Sequence, residues 1–246
     1  MKLTDDVYLV GGGDTGFNIS NRMDCHVFVI RGEDGLALVD AGFDGPGKIL
    51  SNIENDGLDP GKIRRIFVTH YHADHVGALA QLKRELGAIV IAGREAAPTI
   101  REGDAEQTGL AWAQEFGFYP PEFHWEPCEV EEEMSDGDRF EVGGLELMSI
   151  ATPGHCRGHY SLLLRGRDRT YLIAGDQVFW GGAVVLQNVR DSSIQDCAAS
   201  MQKLLNYDFD ALLPSHLAFS LEHGKRHVEA GAKAFLQTGL PRNLFG

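Results

Sequence analysis

Between a strand-like run, Ile66-Phe67-Val68, and a helix-like stretch opening at Gly77, the chain reads Thr69-His70-Tyr71-His72-Ala73-Asp74-His75-Val76. Three histidines and an aspartate fall within six residues, in a chain with 10 histidines among 246 residues. Side chains alternate along extended backbone, so His70 and His72 point to the same side. Asp74 and His75 follow where the chain turns into the helix and offer a second group of donors. Imidazole with carboxylate suits Zn, Fe, Mn or Co. Four donors on one loop cannot surround two ions, so a fold that uses this loop must bring others from elsewhere.

Three later segments offer them. Thr152-Pro153-Gly154-His155-Cys156-Arg157-Gly158-His159 follows a strand as a turn-rich loop, Leu172-Ile173-Ala174-Gly175-Asp176 is a strand ending in an aspartate, and Leu212-Leu213-Pro214-Ser215-His216 is a strand ending in a histidine. Each sets a donor just past the carboxyl end of a strand, where open α/β sheets collect their active sites.

The elements around these motifs read as short strands at 7–10, 26–30, 36–39, 65–68, 88–91, 139–142, 145–150, 161–164, 170–174 and 211–213. Helices read at 46–56, 77–86, 194–205 (capped by Asp191 or Ser192) and 222–237. Hairpin strands mixed with strand-then-helix units predict mixed sheets covered by helices, in one domain spanning 1–246. Residues 94–133 carry Trp112, Phe116, Phe118, Tyr119, Phe123 and Trp125 with Pro120-Pro121, and read equally as a helical lid or as core filling.

These motifs, in this order from about Val7 to His216, resemble the metallo-β-lactamase superfamily, with Asp40 in Leu38-Val39-Asp40-Ala41-Gly42 as its early strand-ending aspartate. The resemblance implies an α/β fold, a four-layer αββα sandwich of two mixed β-sheets flanked by helices, with the site at one edge. It implies a first metal on His70, His72 and His155, a second on Asp74, His75 and His216, and Asp176 bridging them. Asp40 would orient a ligand histidine. Ser215 stands where the superfamily commonly has glycine before the last histidine, a small departure.

The function expected is a dinuclear metal-dependent hydrolase cleaving a small ester, lactone or thioester, similar to glyoxalase II and acyl-homoserine lactonases. Two ions about 3.5–4 Å apart can share a hydroxide that attacks a carbonyl carbon. Zinc is the leading expectation for both ions, with iron or manganese as alternatives. Asp74 or Asp176 would handle the proton, and Tyr71 is a candidate oxyanion donor; His159 fits packing or support of a ligand better. Phe179 and Trp180 read either as walls of an apolar substrate pocket or as core. The alternatives on this fold are a non-haem iron oxidoreductase resembling a persulfide dioxygenase, and a phosphodiesterase.

Composition narrows the partners. A formal charge of −14 repels phosphate backbones and anionic lipids, so a small-molecule substrate is expected, with neither nucleic acid nor membrane. Cys25, Cys128, Cys156 and Cys197 form no CxxC pair, no apolar run spans a bilayer, and the start has no leader-like run, all of which fit the cytoplasm. A homodimer is left open. Gly11-x-Gly13-x-x-Gly16 matches a dinucleotide fingerprint, but Phe17–Met23 does not read as the helix it needs. His223 and His227, beside Lys225 and Arg226, read as a solvated helix face. Cys156 reads as small-residue packing.

Overall fold

Runs rich in Val, Ile, Leu and Phe form the strands, and the crossovers between parallel strands carry the helices, because a parallel partner is out of reach of a tight turn. The computed structural model describes residues 1–187 and 191–244. The chain divides into two compact units, Met1–Met134 with Val142–Gly144, and Ser135–Glu141 with Leu145–Gly246.

The first unit runs β1 (Val7–Gly11), β2 (Val27–Arg31), β3 (Leu36–Val39), α1 (Gly47–Asn55), β4 (Ile63–Val68), α2 (Ala73–Val76), α3 (Leu79–Leu86), β5 (Ile89–Gly93), α4 (Ala97–Glu102), α5 (Leu110–Glu115) and β6 (Glu132–Met134). Its sheet has the order β1-β2-β3-β4-β5-β6. The first three strands pair antiparallel and β3 to β6 pair parallel. Ile66–Val68 and Val90–Ala92 are wholly buried, the continuous apolar run expected of strands covered on both faces. α1 buries Ile49 and Ile53, each worth about 1.5–3 kcal/mol.

The second unit runs β7 (Arg139–Val142), β8 (Leu145–Ala151), β9 (Tyr160–Arg165), β10 (Thr170–Gly175), α6 (Ile194–Leu204), β11 (Ala211–Pro214) and α7 (Lys225–Thr238). Its sheet has the order β11-β10-β9-β8-β7, antiparallel from β8 to β10 and parallel between β10 and β11. The crossover to β11 contains α6, and Ile150, Leu163, Leu172, Met201, Leu212 and Val228 form the core.

Both sheets are mixed, as the element pattern predicted. Four details differ. The helix expected over 77–86 is α3, starting at Leu79, and the short α2 precedes it, with the chain turning at Gly77, where a Cβ would lie 2.0 Å from the Phe43 carbonyl oxygen. The cap of α6 is Ser193, whose hydroxyl accepts the Asp196 N–H. The helix expected from 222 begins at Lys225. Edge strand β6 was not among the strands expected; its Glu132 and Glu133 are exposed, while Met134 is buried. Residues 12–26 form no helix, so the glycine fingerprint has no helix terminus to offer a phosphate.

Candidate metal centre

In the first unit the histidine run occupies the turn from β4 into α2. Asp40, just past β3, is buried and left-handed (φ +61°), a conformation aspartate tolerates better than most residues. Its carboxylate accepts the Thr69 N–H at 2.8 Å and the Thr69 hydroxyl at 2.9 Å. It also accepts the His75 Nδ1–H at 2.9 Å. With its hydroxyl proton given to Asp40, Thr69 Oγ1 accepts from His70 Nδ1 at 3.1 Å. The outer nitrogen of both imidazoles is thereby protonated, and Nε2 is left as the donor to a metal.

The inward atoms have the spacing of ligands. Two tetrahedral donors, each roughly 2.0–2.2 Å from zinc, lie about 3.4 Å apart. His70 Nε2 and His72 Nδ1 are 3.2 Å apart, and His75 Nε2 and Asp74 Oδ2 are 3.5 Å apart. Burial works against charge on His75, but Cys25, Asp74 and Asp40 outweigh it and raise the imidazole well above its usual range. Two carboxylates, Asp40 and Asp74, beside this imidazole favour a cation there. Cys25, Asp40 and His75 also each bring a donor atom within 4.8 Å of the others, and burial pushes the Cys25 thiol up.

In the second unit, His155, Asp176 and His216 come from three separate loops, after β8, β10 and β11. His155 Nδ1 donates to the Val185 carbonyl at 2.9 Å, which again leaves Nε2 forward. That turn depends on Gly154 (φ +140°), where a Cβ would lie 2.4 Å from the Cys197 backbone. Asp176 Oδ2 is 3.6 Å from His155 Nε2 and 3.6 Å from His216 Nε2. One carboxylate oxygen thus stands at ligand spacing from two imidazoles. His159 Nε2 accepts the Asp176 backbone N–H at 2.9 Å, and its Nδ1 is bonded to Thr152 Oγ1 at 2.9 Å. It holds the carboxylate's backbone in place, the supporting role expected of it.

Other sequence expectations resolve residue by residue. Tyr71 is buried and meets His72 edge-on, with ring centroids 5.9 Å apart. Phe179 is wholly buried and stacks on His216 at 6.2 Å. Trp180 is 46% exposed and lies over His227 at 4.6 Å. The reading of His227 as part of a solvated face is wrong: it is buried, accepts the Gly181 N–H at 2.9 Å and bonds Ser220 Oγ at 2.7 Å. Lys225 and Arg226 beside it suggested a wet face, but α7 turns position 227 inward. All four thiols are free and buried.

The 94–133 stretch does two things. Ile100, Leu110, Ala113, Trp125, Cys128 and Val130 are buried, whereas Phe116 and Phe118 are exposed and lie against Trp112. The same stretch carries Tyr119, read in the sequence only as one of the lid-or-core aromatics, whose hydroxyl donates to Asp74 Oδ1 at 2.7 Å.

Comparison with known proteins places these features. Residues 21–216 match the family described as the Metallo-beta-lactamase superfamily. A hydroxyacylglutathione hydrolase from Klebsiella pneumoniae is 29% identical over 160 residues, 65% of this chain and 49% of that protein. Its counterpart from Erwinia tasmaniensis is 27% identical over 197 residues, 80% of this chain and 62% of its own. The chain thus spans about half to three-fifths of these relatives' length. A solved metallo-beta-lactamase from Cronobacter sakazakii, a HARLDQ-motif mutant, superposes with a TM-score of 0.70 at 26% identity, over 97% of this chain and 86% of that one. The two mixed sheets with flanking helices are therefore the fold of these proteins, and with most of its length matched the chain belongs to the Metallo-beta-lactamase superfamily.

Proposed function

We propose that the chain is a metal-dependent hydrolase using two divalent ions, zinc first and iron or manganese as the alternatives, to cleave a small ester, lactone or thioester. His70, His72 and His155 would hold one ion, Asp74, His75 and His216 the other, with Asp176 shared. The observation that carries this reading is Asp176 Oδ2 standing 3.6 Å from both His155 Nε2 and His216 Nε2, as a shared ligand must. The relatives named hydroxyacylglutathione hydrolase favour a thioester within that class.

When bound, such ions supply a nucleophile from water near neutral pH and polarise the substrate carbonyl. The chain's own residues do the rest. A carboxylate oxygen of Asp74 or Asp176 takes the proton that water gives up, and Tyr71 donates to the developing oxyanion. Asp40 and Thr69 hold the imidazoles in the right tautomer. With a charge of −14, and no helix among the described residues long and apolar enough to cross a membrane, a small-molecule substrate in the cytoplasm is the setting we assign. Sedimentation would decide the homodimer.

Metal analysis of protein purified without chelators, with Asp176→Ala beside it and a lactone and thioester panel, tests the reading. Two equivalents in the wild type, fewer in the variant, and turnover of one substrate class are expected. A single iron with oxygen consumption would overturn it in favour of an iron oxidoreductase.

A further inference from the structure

We infer that Tyr119 is a positioning residue for the second metal, holding Asp74 so that a single carboxylate oxygen, Oδ2, is presented to the ion. The inference rests on the dinuclear reading above and concerns how one of its ligands is aimed.

The two oxygens of Asp74 have different company. Oδ2 lies 3.5 Å from His75 Nε2, whereas Oδ1 accepts the Tyr119 hydroxyl at 2.7 Å, the length of a charge-assisted bond. A carboxylate held in this way resists turning to bind through both oxygens. Tyr119 is itself fixed. Its ring stacks on Phe43 with centroids 5.0 Å apart, and Phe43 is in turn stacked by Phe123 at 4.0 Å. Gln114 Nε2 donates to the Pro120 and Phe123 carbonyls at 2.9 and 2.8 Å, pinning the turn that follows Tyr119. The Phe43 N–H is in turn held by Asp24 Oδ1 at 2.7 Å. The aromatic segment thus brings a hydroxyl from 45 residues downstream onto a ligand of the histidine run.

Cobalt(II) titration of the metal-free protein, followed by its visible absorption, tests this with Tyr119→Phe, which keeps the ring and its stack on Phe43. Wild type should bind in two phases. In Tyr119→Phe the first should be unchanged, while the second weakens by about ten- to a hundred-fold, the usual loss when a ligand's outer partner is removed. The second-phase band should also change intensity as Asp74 turns and the coordination number rises. Phe43→Leu, which loosens the stack but keeps the hydroxyl, should weaken the second phase less than Tyr119→Phe does. Two unaltered phases in Tyr119→Phe would overturn the inference, as would an equal loss in Phe43→Leu. A single phase in the wild type would instead sink the dinuclear reading beneath it.

Discussion

The first unit holds two of its imidazoles, His70 and His75, with side chains, whereas in the second a main-chain carbonyl holds His155. Asp40 and Thr69 fix His70 and His75 in the first, through one buried carboxylate that serves three donors. In the second, the Val185 carbonyl fixes His155, and His159 clasps the backbone N–H of Asp176. Both arrangements leave Nε2 forward. They differ in how they fail: a side-chain network can be cut by one substitution, whereas a carbonyl stays wherever the chain runs.

Asp40→Ala should therefore have the largest effect. It strands the buried Thr69 N–H and the His75 Nδ1–H together, and loss of one member of a buried charged network costs about 3–5 kcal/mol. Urea unfolding of the metal-free protein measures it. His155→Ala, whose Nδ1 meets a main-chain carbonyl, should cost less in the same assay. Equal losses would erase the contrast.

Chelation comes next. Ions that bind only the folded state add about 4 kcal/mol at a thousandfold excess over Kd. If both units contribute ligands, His70→Ala and His216→Ala should each reduce this increment, read as the difference between loaded and chelated unfolding. An increment untouched by one of them would assign the ions to a single unit.

Thr69→Val, nearly isosteric, removes the hydroxyl between Asp40 and His70 and should cost about 1–2 kcal/mol. Thr69 also marks where the sequence stopped being informative. His70, His72, Asp74 and His75 stood out because their spacing is local, and His155, Asp176 and His216 because each ends a strand. Thr69, Tyr119 and Cys25 carry no such mark. Their roles depend on which oxygen or ring nitrogen they meet across a fold, and Tyr119 sits in a loop with no periodicity to read. Strand β6 escaped for a related reason: an edge strand with two exposed glutamates shows one buried side chain, Met134, too few to make a pattern.

The smallest effect concerns His227, a buried imidazole outside the proposed ligand set. Because Nδ1 accepts the Gly181 N–H, the ring is neutral with its proton on Nε2, donating to Ser220 Oγ. Burial, and then the charge of Arg226, hold this imidazole below its ordinary 6.5. Between the lowered folded value and 6.5 the unfolded chain binds more protons than the folded one, so stability rises with pH across that window and is lost as pH falls through it. Protonation also takes the acceptor away from Gly181, in the turn beneath Trp180. In chelated protein His227→Gln should flatten the fall in Tm between about pH 7 and pH 5, the span in which histidines titrate. An unchanged slope would show that His227 does not set the second unit's acid sensitivity.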